Sequence, residues 1–326
     1  MKMKDLKSKP IMFMGSPDFA VPSLVALIDA GYNVAAVVTQ PDKPSGRGYK
    51  LTPPPVKVCA AEHGIPVYQP EKLKKVFFEE TLKEINPAMI VVAAFGKILY
   101  PYIIHYPEYG CINVHGSLLP KYRGAAPMQR VIIDGEKQTG VTIMQMDTGL
   151  DTGDMLYSSS IEIGEDDNFE VIHDRLASVG ADALLHTLNL IDEGKASPVK
   201  QDDSLSNYAE KIENSDCIID FSRSAAEIHN RIRGLSPIPL AFTTLHGKKI
   251  KLVSSSVINA SSEFYADDTP AGTVISLAGG VIAVSCGEGA LAITGVLPEG
   301  KRRMSSSDFI NGRGIAVGDV FGEDRT

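Results

Sequence analysis

The 326-residue chain carries 32 Lys and Arg against 40 Asp and Glu, a net charge of −8, with 44% hydrophobic and 22% charged residues. That length exceeds what one hydrophobic core ordinarily fills, so two domains are expected, and the composition excludes wholesale disorder. The negative balance excludes a protein that coats nucleic acid indiscriminately, because such affinity comes from Lys and Arg neutralising phosphates; an RNA partner would need a local basic surface.

The first ten residues are basic, but the apolar stretch after them is broken by Asp18, two prolines and Asp29. Neither a secretion signal nor a membrane span fits, which predicts a cytoplasmic protein without a membrane partner. Residues 11–14 read as a short buried strand, 15–17 as a turn and 21–30 as a helix closed by Gly31, together a βα unit. The turn Gly15-Ser16-Pro17-Asp18-Phe19 lacks the later glycines that bring a backbone against a pyrophosphate, which disfavours a nicotinamide or flavin enzyme. Further strands are expected at 34–39, 89–94, 112–115 and 141–146, separated by helices near 56–62, 72–85 and 125–134. Strands alternating with helices predict a Rossmann-like, mostly parallel, doubly wound α/β sheet whose ligands bind beyond the carboxyl ends of the strands.

Residues 39–55 hold five prolines and two glycines around Lys43, Arg47 and Lys50, and read as a long irregular loop, an arm suited to a polyanion. The densest polar cluster, Asn113 to Gly124, follows a strand, and alternation puts Asn113 and His115 on one face. An amide donor beside an imidazole suits acyl transfer: the amide can stabilise an oxyanion while the ring handles the attacking amine's proton. In the run Asp147 to Asp154, Asp-x-Gly turns explain the acids blandly; alternatively Asp151 reaches His115 and orients it. The acids lack further acceptors, so no metal is expected.

A helix over 168–193 leads to a polar segment, taken as a linker at 196–213, and then a helix at 225–233. The remainder changes to short Val/Ile strands at 249–253, 273–277, 281–285 and 290–296, the pattern of a small β-barrel for which the OB-fold is the leading candidate. Cys59, Cys111, Cys217 and Cys286 are scattered with no C-x-x-C pair, which predicts reduced, buried thiols.

Four motifs in order, GSPDFAVPSL from Gly15, TQPDKPSGRGYKL from Thr39, CINVHGSLLPKYRGAAP from Cys111 and GVTIMQMDTGLDTGDML from Gly140, resemble the methionyl-tRNA formyltransferase family. The resemblance spans nearly the whole chain. It implies 10-formyltetrahydrofolate as co-substrate, methionyl initiator tRNA as acceptor and partner, and Asn113, His115 and Asp151 as the catalytic residues. By the same matching, Ser117, Leu118, Leu119 and Pro120, with Phe95, Gly96 and Ile98 in the loop before Leu99, form the folate-side wall. Arg47 falls in the segment resembling a tRNA-contacting insertion loop, with Lys43 and Lys50 beside it.

The implied organisation is a catalytic formyltransferase domain over 1–195, the linker over 196–213, and an OB-like tRNA-binding domain over 214–326. That last stretch has 11 Lys and Arg against 12 Asp and Glu, net −1, so RNA contact must come from clusters. The candidates are Lys248, Lys249 and Lys251 on one strand, Lys301, Arg302 and Arg303 in a turn, and Arg231 with Arg233 on a helix. A monomer is the default expectation. A formyltransferase or hydrolase with another acceptor, and a non-catalytic RNA-binding module, are the competing readings.

Overall fold

The computed structural model describes residues 5–45, 50–258 and 269–322. Arg47 lies outside the described residues, and Lys50 is described only as backbone.

In chain order the elements begin β1 (Ile11–Gly15), α1 (Val21–Asp29), β2 (Val34–Val38), β3 (Lys43–Ser45), β4 (Lys50–Thr52), α2 (Pro55–Glu62), β5 (Val67–Tyr68), α3 (Lys75–Ile85) and β6 (Met89–Ala93). They continue α4 (Pro101–Ile104), β7 (Cys111–His115), β8 (Arg123–Gly124), α5 (Pro127–Ile133), β9 (Gln138–Gln145), β10 (Met155–Glu162), α6 (Phe169–Asp192) and β11 (Tyr208–Ala209). The last are α7 (Ala225–Gly234), β12 (Ala241–Leu245), β13 (Lys248–Ile258), β14 (Val274–Ser276), β15 (Ile282–Ser285), β16 (Ala290–Pro298), β17 (Met304–Ser305) and α8 (Ser306–Asn311).

Strands β1, β6 and β7 are buried at every position, as expected of a parallel sheet covered on both faces. The main sheet has the order β10-β9-β7-β6-β1-β2-β5, parallel from β7 to β5, with β9 antiparallel to β7. Because the chain leaves β1 toward β2 and later returns to its other side at β6, the strand order reverses between β1 and β6, where such sheets hold ligands. Gly15 ends β1 at this point: a Cβ there would stand 2.8 Å from the Ala93 carbonyl oxygen and 2.9 Å from the Ala20 Cβ. Beneath the sheet, Met12, Met14, Phe78, Leu82, Ile90, Phe95 and Ile103 form one apolar core.

The chain divides into two compact units, residues 1–127, 138–161 and 173–209 in one and 128–137, 162–172 and 210–326 in the other. Two stretches assigned from sequence to the first domain thus cluster with the second. Buried side chains explain part of this: Arg233 donates to the Gly164 and Asp167 carbonyls at 3.0 and 2.9 Å, and His229 lies 3.0 Å from the Glu165 carbonyl. Much of the polar segment expected as a linker, residues 196–209, belongs to the first unit.

The second unit is built on a curled antiparallel sheet, order β12-β13-β16-β15-β14 with β17 on β16, an OB-like arrangement. Register shifts along β13 between Leu252 and Ser255 bend it around a core that includes Phe221, Ile228, Ile232, Leu252, Leu291 and Ile293. Helix α7 starts at a capping box, Ser224 Oγ accepting from the Glu227 N–H at 3.2 Å while the Glu227 carboxylate accepts from the Ser224 N–H at 3.0 Å.

The expected loop over 39–55 contains a pair of antiparallel strands, β3 on β4. Strand β10 was not foreseen because its sequence, MLYSSSIE, is polar and half-exposed. All four cysteines are buried free thiols, and burial pushes the Cys286 thiol up to about 12. Among the described residues no helix is long and apolar enough to cross a membrane.

Candidate active site

Strand β7 delivers Asn113 and His115 to the same face, and both are almost enclosed, 9% and 6% exposed. Backbone pairing with β6 on one side and β9 on the other locks their register, Asn113 opposite Met144 and His115 opposite Thr142. Among the described residues nothing hydrogen-bonds the Asn113 side-chain amide, which leaves its donors available at this face.

His115 Nε2 lies 3.0 Å from the Tyr122 carbonyl oxygen. A carbonyl can only accept, so Nε2 carries the hydrogen and Nδ1 is the basic nitrogen. That nitrogen faces Asp151 Oδ2 at 3.7 Å. Asp151 sits in the left-handed region at φ 54°, which an Asp tolerates better than most side chains, and its Oδ2 also accepts from the Gly124 N–H at 2.9 Å. Gly124 has φ 115°, and a Cβ on it would stand 3.0 Å from the Ala209 carbonyl oxygen, so this donor needs a glycine. The bland reading holds for Asp147, whose Oδ1 closes its own turn by accepting from the Gly149 N–H at 2.9 Å and Thr152 Oγ1 at 2.7 Å. Asp151 instead converges on His115.

The supports come from residues that sequence reasoning left aside. Asn207 Oδ1 accepts from the Tyr122 N–H at 2.5 Å, and its carbonyl accepts from the Arg123 N–H at 3.0 Å, holding the carbonyl that sets the His115 tautomer. Residues Tyr208 and Ala209 then pair with Arg123 and Gly124 as β11 on β8. Gln201, 5% exposed, donates to the Asp151 and Gly153 carbonyls at 2.8 and 2.7 Å. No periodicity marks Gln201 or Asn207; their only signal is amide side chains in a segment whose polarity reads as a linker.

The arrangement joins an amide donor without a partner among the described residues, a histidine with a defined basic nitrogen and a carboxylate facing it, at the carboxyl end of a central strand. The family model described as formyl transferase matches residues 9–188, and that described as formyl transferase, C-terminal domain, matches residues 211–314. The methionyl-tRNA formyltransferase of Geobacter metallireducens is 47% identical over 302 residues, which cover 93% of this chain and 95% of that protein. The chain belongs to the methionyl-tRNA formyltransferase family. Among solved structures, HypX from Aquifex aeolicus in complex with tetrahydrofolic acid matches with a TM-score of 0.64 at 13% identity, covering 95% of this chain and only 48% of HypX. An N-formyltransferase from Helicobacter canadensis in complex with folinic acid and dTDP-3-aminofucose matches with a TM-score of 0.62 at 18% identity, covering 88% of this chain and 98% of the other. These two likenesses show the fold; the family rests on the close sequence relatives.

Within that family fold, Ser117 is fully buried, its hydroxyl donating to the Lys121 carbonyl at 2.7 Å, so it shapes the loop after β7. Leu119, 7% exposed, is tied through its N–H to Thr142 Oγ1 at 3.1 Å, whereas Leu118 and Pro120 keep partly open side chains. The Phe95 ring is 2% exposed in the core and offers no side-chain wall to a ligand; its carbonyl accepts from Gln40 Nε2 at 2.9 Å. Gly96, at φ 73°, passes so close that a Cβ would stand 2.7 Å from Gln40 Nε2, and Ile98 is 85% exposed. Gln40, absent from the sequence-derived candidates, therefore ties the loop after β2 to the loop after β6. Lys97 donates to the Pro70 and Glu71 carbonyls at 2.8 and 3.0 Å; burial, then the nearby charge of Lys43, lower the pKa of its ammonium. Lys43 thus brings positive charge beside the loop after β6.

The basic clusters of the second unit separate by partnering. Lys248, Lys249, Lys301, Arg302 and Arg303 are exposed, with Lys249 Nζ 3.3 Å from the centre of the Phe242 ring. Arg233 is 5% exposed and committed to backbone carbonyls, and Arg231 donates to the Asp216 carbonyl at 2.7 Å. That helix is therefore not a free basic surface.

Proposed function

We propose that this chain transfers the formyl group of 10-formyltetrahydrofolate to the α-amine of methionine esterified to initiator tRNA. The observation that carries the reading is the approach of Asp151 to His115 Nδ1 at 3.7 Å, on the strand that also carries the Asn113 amide, which has no hydrogen-bond partner among the described residues. The close relative's name supports the acceptor, and the solved folds with tetrahydrofolic and folinic acids support a folate donor.

In this reading the free amine attacks the formyl carbon and the carbonyl oxygen becomes an oxyanion that accepts from Asn113. Such a donor stabilises the transition state more than the ground state because charge develops there. His115 Nδ1 takes the proton released as the new C–N bond forms, and the Asp151 carboxylate stabilises the imidazolium. The tetrahedral carbon then collapses, the bond to the folate nitrogen breaks, and the imidazolium proton passes to that leaving nitrogen. A free α-amine titrates near about 8, so a useful fraction is unprotonated near neutrality and modest base assistance suffices.

The same reading assigns folate contact to Ser117, Leu118, Leu119, Pro120, Gly96 and Ile98, with Phe95 acting through its backbone. It assigns tRNA contact to Lys43, Arg47, Lys50, Lys248, Lys249, Arg302 and Arg303. The deciding experiment is formyl transfer to methionyl initiator tRNA by wild type and His115→Ala, with methionyl elongator tRNA as control. Selective transfer lost in the variant is expected. A wild type that binds folate but transfers nothing to the tRNA would overturn the acceptor and point to another amine, such as an amino sugar nucleotide, or to water.

A further inference from the structure

We infer that Gln201 is a positioning residue for the reaction, holding Asp151 against His115 through a buried clamp made with Arg123; the inference rests on the catalytic reading above. The side-chain amide is saturated. Its Nε2 donates to the Asp151 carbonyl at 2.8 Å and the Gly153 carbonyl at 2.7 Å, and its Oε1 accepts from Arg123 Nε at 3.0 Å and Nη2 at 2.8 Å. Carbonyls cannot donate and a guanidinium cannot accept, so all four bonds require the amide in this one orientation.

Gln201 and Arg123 are 5% and 2% exposed, so these bonds are shielded from competing water. Arg123 is itself anchored by Asp203 Oδ1 at 2.7 Å, whose side chain is 79% exposed. The clamp grips the backbone on both sides of Thr152, and one of the two carbonyls is that of Asp151, itself held at φ 54°. An Asp tolerates that conformation better than most side chains, yet it is sparsely populated, and the two backbone grips help to hold it. From the other direction the Gly124 N–H fixes the carboxylate at 2.9 Å, and the segment between Arg123 and Gly124 is the same one that β11 pairs with. Neither His115 nor Asn113 is among the hydrogen-bond partners of Gln201, so its effect on chemistry passes through Asp151.

Gln201→Glu is the sharp test: it keeps the shape and the contact with Arg123 but turns the two donors into acceptors facing two carbonyls. Misplacing a catalytic group by about 1 Å can lower a rate by about 10²-fold, so kcat is expected to fall between about 10-fold and 10²-fold, with KM for both substrates changed by less than about threefold. In an Asp151→Asn background the same change should lower kcat by less than about twofold, because there is no carboxylate left to position. Equal losses in both backgrounds, or a kcat within about threefold of wild type in the Gln201→Glu single variant, would overturn the inference while leaving the catalytic assignment standing. An Asp151→Asn enzyme with wild-type kcat would instead overturn that assignment and the inference with it. Should Gln201→Glu not fold, Arg123→Lys, which loses the two-nitrogen grip on Oε1 but keeps the charge, is read by the same criteria.

Discussion

Asp151→Asn tests the proposed chemistry most directly. The carboxylate stands 3.7 Å from His115 Nδ1 with 13% of its side chain exposed. At an effective dielectric constant of about 20, unit charges at that separation attract by about 4 kcal/mol. The attraction exists only once the ring is protonated, as the amine loses its proton, so it lowers the barrier and leaves substrate binding alone. An asparagine keeps the shape, and its side-chain oxygen can still accept from Gly124, so the substitution removes little but the charge. With about 1.4 kcal/mol per factor of ten, kcat is expected to fall by up to about 10³-fold, with KM for folate and tRNA held within about threefold. The assay is formyl transfer with folate and methionyl initiator tRNA each varied up to saturation, and single-turnover transfer at saturation for the chemical step. A loss below about tenfold, or one confined to KM, would refute the reasoning.

Four further outcomes are expected. Asn113→Ala lowers kcat by roughly 10² to 10³ if the amide meets the oxyanion; a loss below about threefold in steady-state transfer removes it from that role. Arg47→Ala raises KM for tRNA and reduces the log–log salt slope by about 1 while sparing KM for folate, and an unchanged slope would take this segment out of the RNA interface. Gly15→Ala puts a Cβ 2.8 Å from the Ala93 carbonyl oxygen, and overpacking of that kind costs about 1–3 kcal/mol, so a thermal midpoint equal to wild type would contradict the close approach. Burial pushes the Asp216 carboxyl up, but the Arg130 guanidinium at 2.8 Å and the Glu213 N–H outweigh it and hold its pKa below the ordinary value. A depressed folded-state pKa gives stability that is present above the unfolded value near about 4 and is lost as pH falls through the folded value. The difference in urea midpoint between wild type and Arg130→Gln should therefore be largest near neutrality and shrink in acid; a difference independent of pH would rule out the pair as its source.

What could be read from the chain alone follows its periodicities. The apolar runs of β1, β2, β6 and β7 predict a buried parallel sheet, and the alternation through Cys111–His115 puts Asn113 and His115 on one face, because side-chain direction in a strand has period two. Ordered motifs then carry the family, because chemistry at strand ends demands particular side chains at particular spacings. Tertiary structure alone decided the remainder, since hydrogen bonds across 50 to 85 residues leave no periodic trace: Gln201 reaching Asp151, and Asn207 reaching Tyr122. It also separated residues whose types look alike. Phe95 is core where a wall against the folate was expected, the buried Arg233 is spent on backbone carbonyls where a basic surface was a candidate, and residues 43–45 and 50–52 of the proline-rich stretch pair as antiparallel strands. Burial and partnering, which belong to the folded chain and not to the residue type, set which polar side chains remain free for a ligand.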